Sequence, residues 1–194
     1  MANGYAQIIW DYLLEKIGNE CGVAGLMGNL DAESGLHPDR VQGDVPYSEY
    51  SVQYTADVDR GVISEEDFVH NGPNGGGYGL AQWTYHTRKQ ALYDWYKYRG
   101  YSSIGCIELA LDYLWHELQY SFPAVLDILC TAKTVREASN VVLHDFENPA
   151  VQDEEVENVR TSMGEVYYTL FTGKTPPTGK RKSMPIWMMC RRRF

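Results

Sequence analysis

The chain has 194 residues, 44% of them hydrophobic and 13% aromatic, which suits a single globular domain and excludes a disordered chain. Its formal charge of −9 is uneven: 7 of the 17 basic residues follow Gly173, where no acid occurs, so residues 1–173 carry 26 acids against 10 bases, a net −16. So acidic a body repels a phosphate backbone, which argues against nucleic acid as substrate, and no window approaches the roughly 18 apolar residues of a membrane span.

Taken in order, Met1 to Asp11 has no basic stretch and its apolar run is broken by Asp11, so it does not read as a secretory signal. Tyr5, Ile8, Ile9, Tyr12, Leu13 and Ile17 form a helical stripe that stops at Gly18. Asn19 suits the N-cap of a second helix, in which Val23, Leu26, Met27 and Leu30 alternate with Ala24, Gly25, Gly28 and Ala32, a small-residue pattern that fits close packing. Its last turn presents Glu33, before Ser34, Gly35 and then Pro38 end the helix. Residues 37–62 show weak periodicity, with short helical or extended pieces such as Thr55 to Arg60 and room for a small β element. Ser64-Glu65-Glu66-Asp67 reads as a capping box opening a short helix.

Asn71 to Gly79 holds five glycines in nine residues and is expected to be a loop, leading into Leu80-Ala81-Gln82-Trp83-Thr84. Thr84 or Thr87 is expected to cap a helix with Arg88, Ala91, Leu92, Trp95 and Tyr96 inward, ending at Gly100. A further helix spans about 104–120, a short one lies around 125–129, Thr134 caps another reaching Asp145, and Phe146-Glu147-Asn148-Pro149 is a break. The last helix, about 152–171, is expected to turn Val156, Val159, Met163, Val166, Tyr167 and Leu170 inward. The chain therefore reads as mainly α over 1–172, followed by a Pro/Gly linker and a basic-aromatic tail at 173–194 suited to docking on a partner or a surface.

Cys21, Cys106, Cys130 and Cys190 form no CxxC pair and lack zinc-site spacing, and the five histidines show no HExxH pattern, so no metal or other cofactor is expected. Glu33 stands out instead. At a helix C-terminus among apolar residues, the macrodipole and the surroundings both favour the protonated carboxyl that a general acid needs. The Gly-rich loop lets a ligand lie close to the backbone, Gln82 offers both an amide donor and an acceptor, and Tyr78 and Trp83 offer flat aromatic faces, unless Trp83 belongs to the core.

Glu33-Ser34 followed by Gly79-Leu80-Ala81-Gln82 and Thr84 resembles the signature of the goose-type lysozyme and soluble lytic transglycosylase superfamily. Gly28-Asn29-Leu30 with Ala32 to Gly35, Gly77 to Thr84 with Arg88, and Phe146 to Pro149 with Arg160 is similar to phage tail-associated lysozyme domains over about residues 5–171. Ala81 stands where many members have Met. The resemblance implies a lysozyme-like helical domain that cuts the β-1,4 bond between N-acetylmuramic acid and N-acetylglucosamine, with Glu33 as general acid and a cleft that includes Ser34, Tyr78, Gly79, Leu80, Gln82, Trp83 and Glu147. The second group is open: one of the acids Asp39, Asp44, Glu49, Asp57, Asp59, Glu65, Glu66 or Asp67, or the sugar's own N-acetyl or 6-hydroxyl group. Glu147 either closes the far side of the groove or caps the last helix. Peptidoglycan strands are the implied partner, in a phage tail or at the bacterial wall, with tail proteins as partners of the C-terminal segment. A non-cutting glycan-binding module is the alternative.

Overall fold

The computed structural model describes residues 4–70 and 76–179. Helices follow one another as α1 (Ala6–Ile17), α2 (Glu20–Ser34), α3 (Glu49–Asp59), α4 (Glu65–His70), α5 (His86–Arg99), α6 (Ile107–Tyr120), α7 (Pro123–Thr131), α8 (Val135–Val141) and α9 (Glu154–Thr172). A π-helical turn, Val142–Glu147, prolongs α8. The chain is mainly α, as its periodicity indicates. Gly18, Gly35, Gly100 and Gly173 end four of these helices in the left-handed conformation.

The molecule is built around α2, 11 of whose 15 residues are buried and which packs on α1, α7, α8, the π-turn and α9. Asn19 caps it through Cys21 N and also donates from its amide to Leu129 O and Ala132 O, so the cap ties α2 to the end of α7. The small residues set the spacing. A Cβ on Gly28 would lie 2.4 Å from Arg160 O, and one on Gly164 would lie 2.6 Å from Ala24 O, so α2 and α9 touch backbone to backbone.

That approach also decides which face of α9 is inward. Arg160, Thr161, Gly164, Tyr167 and Tyr168 are buried, whereas Val159, Val166 and Leu170 are exposed and Val156 and Met163 are only half-buried. Of the expected inward set only Tyr167 is buried; the tight contact requires glycine, and the apolar stripe consequently faces out. In α5 the inward residues are Lys89, Leu92, Tyr93 and Tyr96 rather than Ala91. Its N-cap is Tyr85, with no side-chain cap bond, and Thr84 Oγ1 donates to Gln82 O instead.

Residues 37–62 contain α3, capped by Ser48, and pair with the segment at 78 through a single antiparallel bridge, Val41 with Tyr78, which itself pairs with Trp83. These isolated bridges are the whole of the β structure among the described residues. Ser64 caps α4 as expected, accepting from Asp67 N and donating to its carboxylate. The 146–149 break begins two residues late, since Phe146 and Glu147 complete the π-turn and Asn148 ends it at φ +46°.

Cys21, Cys106 and Cys130 are free thiols; Cys190, residues 71–75 of the Gly-rich loop and the tail from Lys180 lie outside the described residues. No helix among the described residues is long and apolar enough to cross a membrane.

Candidate active site

The end of α2, the segment 40–45, residues 82–88 and the end of the π-turn enclose a cleft of about 450 Å³. Glu33, Arg40, Gln82, Arg88, Glu147 and Asn148 are among the groups on its walls. A wider hollow along Val159 and Met163 of α9 carries no comparable set of convergent charges.

Glu33 reaches the cleft from the last turn of α2, with its side chain 21% exposed. Its carboxylate is paired with the Arg160 guanidinium of α9, which Gly28 and Gly164 bring within reach. Asn29, one turn earlier on the same face of α2 and fully buried, accepts from Arg160 at 3.2 Å and donates to Gly25 O and to Ser139. Glu33 is thus oriented by a fixed cation, not surrounded by apolar groups alone as its sequence position suggests.

Glu147 reaches the same cleft from the end of the π-turn. Its Oε1 is buried without a hydrogen-bond partner. Burial, followed by the nearby negative charge of Glu33, pushes its carboxyl up to about 8, against the smaller opposing pull of Arg88 and Arg160. Burial and the Glu33 charge both favour the neutral form of the Glu147 carboxyl. Arg88 is held by both oxygens of the buried Glu117, at 2.7 and 2.8 Å, and lies over the Phe146 ring at 4.8 Å. Two carboxyls in different environments can divide the work of giving and holding a proton.

The family model for phage tail lysozyme matches residues 4–171. The chain belongs to the phage tail lysozyme family. No curated protein and no solved structure matches it. Membership in the phage tail lysozyme family carries a lysozyme-like, peptidoglycan-directed role at the bacterial wall.

In this phage tail lysozyme domain only three of the expected site residues, Glu33, Gln82 and Glu147, line the cleft. Ser34 is buried and its hydroxyl bonds back to Leu30 O. Tyr78 is buried, sharing a 2.7 Å hydrogen bond with Thr55 and standing edge-on to Phe68, so its face is closed to a sugar. Trp83 has no exposed surface, and its indole N–H donates to Glu117 at 2.6 Å; it belongs to the core. Leu80 is fully buried, and Gly79 takes φ +81° with a Cβ position 2.9 Å from the Trp83 ring. These residues support the cleft floor rather than its surface. Gln82, in the left-handed region at φ +44°, donates its amide to Arg40 O and Gly79 O, so both donors are engaged and only its carbonyl is left for a ligand.

The eight acids between 37 and 67 do not line the cleft. Asp39 accepts from Tyr47, Asp44 from Ser48 and Ser51, Asp57 from Gln53 and Arg60, and Asp59 from Ile104 N. Glu147 does not cap α9 either, for Asp153 does so through Val156 N. The supporting roles of Asn29, Arg40 and Glu117 have no counterpart among the expected residues. For Asn29 the signals in the sequence were its place in the Gly28-Asn29-Leu30 motif and its i, i+4 spacing from Glu33, since such residues share a helix face.

Proposed function

We propose that this domain cleaves the β-1,4 bond between N-acetylmuramic acid and N-acetylglucosamine in peptidoglycan, with Glu33 as the proton-transfer group at the bond and Glu147 as its second carboxyl. The observation that carries this reading is the pair itself: two glutamates, from α2 and from the π-turn, on the walls of one cleft, one paired with Arg160 and the other with a carboxyl oxygen enclosed and left without a hydrogen-bond partner. Bond cleavage begins when the leaving oxygen takes a proton from an acid that still holds one near neutral pH. Glu33 delivers that proton to the leaving oxygen, and Glu147, whose neutral form burial favours, stands in the same cleft as the second carboxyl. After departure of the leaving sugar the same carboxylate accepts a proton from the attacking hydroxyl, which is water in a muramidase and the substrate's own 6-hydroxyl in a lytic transglycosylase. The Gln82 carbonyl is suited to accept from an N-acetyl N–H. The setting that fits is a phage tail or virion acting on the wall, with tail proteins as partners of the C-terminal segment.

Release of reducing ends and 1,6-anhydro ends from purified peptidoglycan, resolved by mass spectrometry, tests this. Glu33→Gln is expected to keep the wild-type fold and to lower total release by roughly 10²–10⁴-fold, the usual range for a lost acid-base group. A folded Glu33→Gln protein that releases either product at the wild-type rate would exclude Glu33 from the chemistry.

A further inference from the structure

Three arginines surround the two carboxyls, and two of them are already matched. Arg160 is engaged by Glu33 and Asn29, and Arg88 by both oxygens of Glu117. Arg40 differs. Among the described residues its only side-chain hydrogen bond goes to a backbone carbonyl, Ser34 O, at 3.3 Å, and no carboxylate pairs with it. Its backbone is held, because Arg40 O accepts from Gly79 N at 2.7 Å and from the Gln82 amide at 3.0 Å, and the residue lines the cleft beside Gln82.

A half-exposed guanidinium with unused donors in a cleft is matched to a planar anion, since its fork fits a carboxylate through two parallel hydrogen bonds. In a body of net −16, a cation left unmatched at the cleft wall is out of keeping with the general charge, which would otherwise repel an anionic ligand.

We infer that Arg40 is a specificity residue that takes an ionised carboxylate of the bound glycan, so that the cleft selects carboxylate-bearing wall strands over neutral N-acetylglucosamine polymers. This rests on the glycan-cleft reading above but not on cleavage. Two sources supply the group: the lactyl ether of a sugar stripped of its peptide, or the side and end groups of an attached stem peptide.

The test is binding by the full chain carrying Glu33→Gln, which leaves the ligands intact, with and without Arg40→Gln. The ligands are an N-acetylglucosamine hexamer, a wall oligosaccharide with free lactyl carboxylates, and the same oligosaccharide with stem peptides. The preference of the parent for a carboxylate-bearing ligand over the neutral hexamer is expected to fall about tenfold or more in Arg40→Gln, the scale of a lost charge-assisted pair, with Arg40→Lys in between. Whichever wall ligand loses its advantage identifies the source. No preference in the parent, absence of binding to all three ligands, an unchanged preference in Arg40→Gln, or an equal loss on all three ligands would overturn the assignment, the last because it marks a merely structural role. A wild-type chain that cuts none of these glycans while the preference still depends on Arg40 would defeat the cleavage reading and leave this one standing.

Discussion

Glu147 shows how burial gives one carboxyl of the same residue type a different task from its neighbour. In the unfolded chain it loses its proton near 4.5, whereas in the fold it keeps it up to about 8. A raised acid binds its proton more tightly in the native state, so its contribution to stability is complete below about pH 4.5 and is lost progressively as pH rises through about 8. Glu147→Gln is a neutral near-isostere that does not titrate. Thermal melts at pH 5 and pH 9 should therefore show the variant gaining on wild type at the higher pH, and a constant difference between the two proteins would show that Glu147 titrates alike in both states. Trp83 makes the complementary case, because it supports the cleft from beneath without touching its surface. Trp83→Phe leaves the buried Glu117 short of a donor and should cost about 1–3 kcal/mol in chemical denaturation while leaving glycan affinity within about twofold. A loss of affinity with unchanged stability would return Trp83 to the cleft surface.

At the scale of elements, the contact between α2 and α9 positions the site, because it brings Arg160 to a glutamate 127 residues earlier in the chain. Gly28→Ala places a methyl group against the backbone of Arg160 and Gly164. It should destabilise the fold by about 2–4 kcal/mol and also shift Arg160 away from Glu33, lowering activity of the fraction that remains folded. Gly4→Ala, whose Cβ meets nothing within 4 Å, is the matched control. Melting curves beside rates corrected for the folded fraction would check both effects, and a Gly28→Ala protein as stable as the control would contradict the close approach. The same contact explains what was legible beforehand. Helix ends at Gly18, Gly35 and Gly100 follow from local chemistry, as do the caps at Asn19, Ser64 and Thr134. The inward face of α9 does not. Its most regular apolar stripe is exposed, and a glycine and an arginine face inward because α2 requires the one and Glu33 the other.

Across the whole molecule, the order of helices and the position of Glu33 could be read from periodicity and from the lysozyme-like motifs, whereas the choice among the candidate second carboxyls could not. Eight acids between 37 and 67 were equivalent as sequence, and Glu147 was open between closing the groove and capping α9; in the fold several of the eight are occupied with caps and turns, Asp153 caps α9, and Glu147 lines the same cleft as Glu33. Likewise Tyr78 and Trp83 have the composition of a sugar platform, but their neighbours bury them. What the assembled cleft adds is a second carboxyl, Glu147, from a distant segment, pushed toward its neutral form by burial and by the charge of Glu33, and its part in the reaction is open to direct measurement. The pH dependence of glycan release from purified peptidoglycan, for wild type and Glu147→Gln, should show the wild-type rate falling as pH rises through about 8, where Glu147 gives up its proton. Removing Glu147 should move that fall to lower pH or abolish activity at neutral pH. An alkaline limb at the same pH in both proteins would contradict the two-carboxyl account.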